Sequence, residues 1–351
     1  MAVKFTKPEI NVREKLAELD KPSGIAGEAM LRAETPQEQQ ALIGVGRRNM
    51  LINGDMKVSQ RGDFTTASSM PNAYKLDRWL CDLNGTATVQ HTTGHDIPGT
   101  PAICKAIKLV QTVTGNNYLG IRQKIEDPTQ YVGRTFTYSG WVRSNTPNAR
   151  LECYIHGTDQ PAIGPNHSGN GEWEFLSFTF TMSGIPSNNW LVDVYIDNGA
   201  YTNTTITAGE YVEATMLQLE AGKVATPFEH RSYGEELALC ERYYQRVPVY
   251  HESIMGQAYS TTAARFPVQL PVEMRTDPTI TVPGPGTSGN SMKPLNASLS
   301  WPGGSGNNAV TTKSPRHFYV TCMNYSGLVA GNASTLYAGS NYTYIKCDAE
   351  L

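Results

Sequence analysis

From about residue 76 onward, apolar and polar residues alternate in short runs, including ATVQHTT, TFTYSGWVRS, EFLSFTFTM and EYVEATMLQLE. Phe136, Tyr138, Gly140 and Val142 share one face of their run, and Leu176, Phe178, Phe180 and Met182 share one face of theirs. A period of two marks strands with one buried face. Turn-forming clusters such as DIPGTP, SNTPN and GPNHSGNG separate the runs,. Strands at this spacing predict an antiparallel sandwich of jelly-roll type. Residues 247–351 return to the same character and predict a second, smaller sandwich. Within it, Pro267 and Pro271 alternate with apolar positions, which predicts an edge strand, because proline has no N–H to donate to a ladder.

Two stretches break the alternation. In the first, residues 1–48, helix punctuation takes over: Thr35, Pro36 and Glu38 form a capping-box start, and Gly44 follows the end,. The apolar positions Leu16, Leu19, Ile25, Met30, Leu31, Leu42 and Ile43 are too few for a core of their own. They pack on the later domains or on sister copies, or they dock on a larger assembly. The second is MLQLEAGKVATPFEHRSYGEELALCERYYQR, which opens as a strand, turns at Pro227-Phe228 and becomes a short helix. Ser232 is a good N-cap with Glu235 three residues on, and Leu237, Cys240 and Tyr244 come next at i, i+3 and i+7,. Those three are the expected packing face of a connector helix over 233–246. The expected partition is therefore a helical attachment region (1–48), a jelly roll (49–232), the connector (233–246) and a distal sandwich (247–351), mainly β overall.

Charged residues make up 17% of the chain and the formal net charge is −3, which argues against a nucleic-acid partner that would demand surplus Lys and Arg. No apolar run is long enough for a membrane-spanning helix, so no membrane insertion is expected. The six cysteines are scattered without a C-x-x-C pair; buried thiols, made in a reducing cytoplasm, are the expectation.

Signatures of catalysis are lacking: there is no G-x-S-x-G, no H-E-x-x-H and no P-loop,. His91 and His95 are a notable pair in a Thr/Gly turn, but a metal site needs further ligands. The loop GPNHSGNGEW lacks the acid density of a calcium loop,. No catalytic residue, metal or cofactor is expected. Trp173, Trp190 and Trp301 sit at turns, where flat rings could stack on sugars, although such residues more often belong to a core or an interface.

Three ordered segments, RRNMLINGDMKVSQRG, KLDRW and LQLEAGKVATPFEHRSYGEELALCERYYQR, resemble segments of bacteriophage fibre and virion structural proteins. The resemblance implies that LINGD and DRW open a jelly roll like a carbohydrate-binding module, that QLE and ATPFE close it, and that the ERYYQR helix leads into a further β domain. KFTKPEINVREKLAELDKPSGIAGEAMLRAETPQEQQALIG resembles the virion-attachment region of marine tailed phages. The family resemblance further implies a homotrimer on the virion surface, on capsid or tail; with the short chain and the lack of catalytic signatures, the expectation is a non-enzymatic short fibre or spike. Its N-terminal region would join other virion proteins and its outer part would adsorb to a host surface glycan or protein. The alternatives are a glycan-binding module as the main activity, or a polysaccharide-degrading tailspike with two convergent carboxylates.

Overall fold

The computed structural model describes residues 48–351 apart from 63, 70–72, 96, 98–103, 156–161, 183–189, 197–203, 250–253, 286–290, 297, 299–305 and 339–342. The attachment positions Leu16, Leu19, Ile25, Met30, Leu31, Leu42 and Ile43 lie outside the described residues, as does Trp301.

The alternating runs become strands of antiparallel sheets. One sheet of the first unit pairs, in order, Ser68–Ser69, Ala87–His95, Cys104–Gln111, Tyr211–Ala221, Thr135–Ser144 and Trp173–Thr181. The other pairs Tyr74–Leu76, Trp79–Asn84, Gly115–Ile125, Trp190–Ile196, Ala149–Ile155 and Ala162–Asn166, with Thr204–Ile206 beside Gly115–Ile125. The chain passes repeatedly between the two sheets. Their inner faces bury Trp79, Ile107, Leu109, Ile121, Phe136, Tyr138, Val142, Leu151, Leu176 and Leu219 together. The even-numbered faces of TFTYSGWVRS and EFLSFTFTM are the faces that turn inward.

The second unit has a three-stranded sheet, Tyr244–Pro248, Tyr344–Asp348 and Thr279–Thr281. Its six-stranded sheet runs Met292–Leu295, Ala333–Ala338, Ile254–Ala258, Ala264–Gln269, His317–Met323 and Asn307–Lys313. Phe266, Phe318, Val320, Leu336 and Ile345 fill the core between them. The strand with Pro267 is not the edge that its prolines predict, but third from one side. On one flank it pairs only through Ala264 and Arg265, whereas Pro267 faces Tyr319 on the other, so the missing N–H falls where no second neighbour needs it.

The three segments that carry the family resemblance meet in one buried knot. Asn53, fully buried at φ 60°, donates through Nδ2 to the carbonyls of Val58 (2.9 Å) and Asp77 (3.0 Å) and accepts the Val58 N–H at 2.9 Å. Its carbonyl accepts the Trp79 indole at 2.9 Å, and its own N–H donates to Glu236 Oε1 at 2.6 Å. Asn49 ties the same corner to the closing strand, donating to the Leu217 carbonyl at 3.0 Å and accepting from Leu219 at 3.1 Å. Arg231, just before the connector helix, reaches the Leu51 carbonyl (3.1 Å) and Glu236 (3.3 Å). Gly54 is required here, since a Cβ on it would stand 2.2 Å from the Leu217 carbonyl oxygen.

The connector helix runs Tyr233–Glu241 with both halves of the Ser232–Glu235 capping box formed. It ends earlier than the expected 246. Tyr244 therefore lies on the first strand of the second unit, not on the helical face with Leu237 and Cys240. Cys240 is buried and Leu237 half-buried, while the other buried helical side chain is the carboxylate Glu236. A short helix held by a polar anchor does not need the apolar stripe that its sequence spacing predicts.

The two units are joined by stacked cations. The guanidinium carbons of Arg61 and Arg78 lie 3.7 and 3.5 Å from the ring centres of Tyr244 and Tyr243, a desolvated cation–π arrangement, and Arg246, stacked on Tyr344 within the second unit, donates across to the Gln60 carbonyl. Arg61 also pairs with Asp348 and Glu350, each at 3.1 Å, Arg78 pairs with Glu350, and Arg242 with Glu126 at 3.2 Å. All six cysteines are buried thiols, and burial pushes the Cys322 and Cys347 thiols up to about 12.

Candidate functional site

The outward face of the first unit's six-stranded sheet is where exposed aromatic rings and titratable groups converge. Strand register sets this up. Lys108 stands opposite Glu213, Glu213 opposite Arg143, and Arg143 opposite Trp173, so one row crosses four strands. That is three strand intervals, or about 14 Å. In the next row Thr215 stands opposite Trp141, and Trp141 opposite Phe175. These positions alternate with the core residues of their strands, so the alternation that buries Phe136, Tyr138 and Val142 turns Trp141 and Arg143 outward, and the one that buries Ile107 and Leu109 turns Lys108 outward,.

The rings lie close together. Trp141 and Phe175 are 5.6 Å apart between centroids, Trp173 and His95 5.2 Å. Phe175 is 47% exposed, while Trp141 and Trp173 are half-buried against Ile97, Cys104, Met216 and Phe228. The Pro227-Phe228 corner thus supplies part of the floor. Met216 reaches this side because the strand bulges between Thr215 and Gln218, with Met216 at φ 51°.

Glu213 is the charged centre and is 1% exposed. Its Oε1 accepts from Thr92 Oγ1 and lies 3.1 Å from His95 Nε2, while Oε2 lies 3.8 Å from Arg143 Nη1. His95 Nε2 is also 2.8 Å from Thr92 Oγ1. Burial holds the His95 imidazole below its ordinary range; Glu213 opposes that shift, and Arg143 and Lys108 add to it. Arg143 donates Nε–H to the Gly171 carbonyl at 2.8 Å. Lys108 Nζ sits 4.3 Å from the centre of the Tyr211 ring.

The loop before Trp173 is braced internally. Gly169 N–H donates to His167 Nδ1 at 2.9 Å, Ser168 N–H to Glu174 at 3.1 Å and Glu172 N–H to Asn170 Oδ1 at 2.8 Å. The polar side chains of GPNHSGNGEW are thereby spent on shaping the turn that delivers Trp173 and the Gly171 carbonyl. Among the described residues, no three His, Cys, Asp or Glu side chains group as metal ligands would. His91 and His95 do not converge, and they lie on a strand rather than in a turn. His91 points inward, stacked on Phe64 with centroids 5.3 Å apart, and bonds the Met56 carbonyl at 2.7 Å.

Of the three tryptophans singled out by the sequence, Trp173 belongs to this face and begins a strand rather than a turn. Trp190 begins a strand of the opposite sheet. Trp141, Phe175, Arg143, Lys108 and Glu213 are missed by sequence reasoning. The signal that could have found them is their place at the outward positions of strands whose inward positions are plain.

No family model and no curated protein matches the chain. Solved structures with similarity to it include the enzymatically active domain of bacteriophage CBA120 tailspike protein 4, at 16% identity and TM-score 0.34, over 50% of this chain and 21% of that one. Another is the CBM22-2 xylan-binding domain of Paenibacillus barcinonensis Xyn10C, at 13% identity and TM-score 0.32, over 45% of this chain and 99% of that one. A third is TmCBM61, described in complex with β-1,4-galactotriose, at 12% identity and TM-score 0.28, over 50% of this chain and 100% of that one. The chain thus spans about a fifth of the tailspike fragment. Likenesses at this level lend nothing to an assignment of function, which rests on the chain's own residues.

Proposed function

We propose that the chain is a non-enzymatic virion surface protein that binds saccharide through the outward face of its first six-stranded sheet. The carrying observation is the cluster of Trp141, Trp173 and Phe175 beside Glu213, His95, Arg143 and Lys108. Sugar recognition calls for this pairing: flat rings cover the apolar face of a pyranose, and a few placed donors and acceptors take its hydroxyls. Glycoside hydrolysis, by contrast, uses two carboxylates flanking the bond. The two rows of this face carry one, Glu213, buried and engaged by Thr92 and His95.

The virion setting is supported by the three segments that resemble phage fibre proteins. In this reading three copies assemble with residues 1–48 toward the particle, on capsid or tail, and the sandwiches project toward the host. The test is a host-envelope saccharide array with the full chain and its Trp173→Ala and Phe175→Ala variants. The expected result is retention by the wild type, loss in both variants and no released fragments. Retention equal in all three proteins would sink the assignment of this face, and released fragments would sink the non-enzymatic reading.

A further inference from the structure

We propose that this same face selects acidic saccharides carrying carboxylates at intervals, such as oligo-uronates. The inference rests on the saccharide-binding reading and adds the chemical class. Along the polar row, two cations flank one carboxylate. The carboxylate is withdrawn, at 1% exposed, whereas the Arg143 side chain is 36% exposed. Lys108 is half-buried, and its side chain, over the Tyr211 ring, has no hydrogen bond or ion pair among the described residues. A ligand approaching from solvent therefore meets surplus positive charge, although the whole chain is net negative. Such a local field steers and selects anionic partners.

Spacing narrows the class. Arg143 and Trp173 are directly cross-strand, so their Cβ atoms are about 5 Å apart. A pyranose ring stacked on Trp173 places its own ring carboxylate against the guanidinium, which can receive it as a planar fork. Arg143 keeps Nη N–H donors for this, since Nε is committed to Gly171 and Nη1 stands 3.8 Å from Glu213 Oε2, an ion pair too long to be a hydrogen bond,. Lys108 lies two strands further along the row, about 10 Å away, and takes a second carboxylate along the same oligosaccharide. An isolated phosphate or a single uronate would satisfy only one of the two cations.

The experiment is calorimetric titration of the full chain with tri-galacturonate, with its fully methyl-esterified form, and with a neutral-backbone trisaccharide bearing sulfates, each at low and high salt. Tri-galacturonate should bind at least tenfold tighter than the ester and tighter than the sulfated sugar, and should weaken severalfold at high salt. Lys108→Gln, a surface change whose thermal melt checks folding, should bring tri-galacturonate toward the affinity of the ester. Equal binding of acid and ester, or an unaffected Lys108→Gln, overturns acid selection while leaving saccharide binding intact. A preference for the sulfated sugar overturns the carboxylate class. Failure of all three sugars to bind overturns the acidic-saccharide class, while retention on the saccharide array decides the saccharide-binding reading separately.

Discussion

Replacing Asn53 with alanine tests whether the segments resembling phage fibre proteins act as a structural knot. The side chain is fully buried and makes three hydrogen bonds, two to carbonyls and one from an N–H. Alanine removes all three and leaves three backbone groups of Val58 and Asp77 without that partner. Each buried group stranded in this way costs about 1–3 kcal/mol, with the sum less than additive. Asn53 also sits at φ 60°, where asparagine is tolerated and alanine costs about 1 kcal/mol more. The expected loss is therefore about 4–6 kcal/mol, a large share of a typical stability of roughly 5–15 kcal/mol. With a urea m-value of about 2 kcal/mol per molar, the midpoint should fall by about 2 M or more. The assay is urea unfolding monitored by far-UV circular dichroism, with Val224→Ala, at a 60% exposed residue, as a control expected within about 0.5 kcal/mol of wild type. A loss below about 1 kcal/mol for Asn53→Ala would refute the reasoning, because the knot would then be dispensable.

The junction between the units and its flank supply two further tests. Glu350→Ala strands Arg78, whose side chain is 1% exposed, and should cost about 3–5 kcal/mol, read by thermal unfolding; the Arg78→Met/Glu350→Leu pair should cost less than that single change, and the reverse order would contradict a desolvated pair. Burial raises the Asp77 carboxyl to about 6, against hydrogen bonds from Gln60 that lower it. Its folded value exceeds its unfolded one, so its contribution is fully present below about pH 4 and is lost as pH rises through about 6. From pH 4 to 7 Asp77 should subtract on the order of 3 kcal/mol, visible as a urea-midpoint slope that Asp77→Asn removes; identical slopes in the two proteins would discard the shift.

Local periodicity makes much of the fold legible. A strand's inward face is written two residues at a time, so Phe136, Tyr138 and Val142 declare themselves, and a capping box is written within four residues, so Ser232 and Glu235 do as well. What joins distant segments is not written locally. Glu213 meets Arg143 only through a pairing of strands some seventy residues apart, and Glu236 looks like any solvated helical acid until Asn53 and Arg231 are brought to it. The helix end is obscured for a related reason: ERYYQR keeps a helical apolar spacing, yet the pairing of Tyr244–Pro248 with Tyr344–Asp348 claims those residues for a sheet. The candidate face is half legible. Trp173 stands out as an aromatic beside a glycine-rich turn, while Trp141 and Phe175 are masked because the opposite faces of their strands carry the stronger apolar signal.

The most direct test of saccharide binding at this face is an indole-resolved NMR titration of the full chain with the saccharide best retained on the array. The Trp173 and Trp141 Nε1–H signals, assigned through Trp→Phe variants, should shift with saturation, while that of Trp79, buried in the core with its N–H committed to Asn53, should stay in place. Saturable binding that leaves Trp141 and Trp173 unmoved would contradict the account.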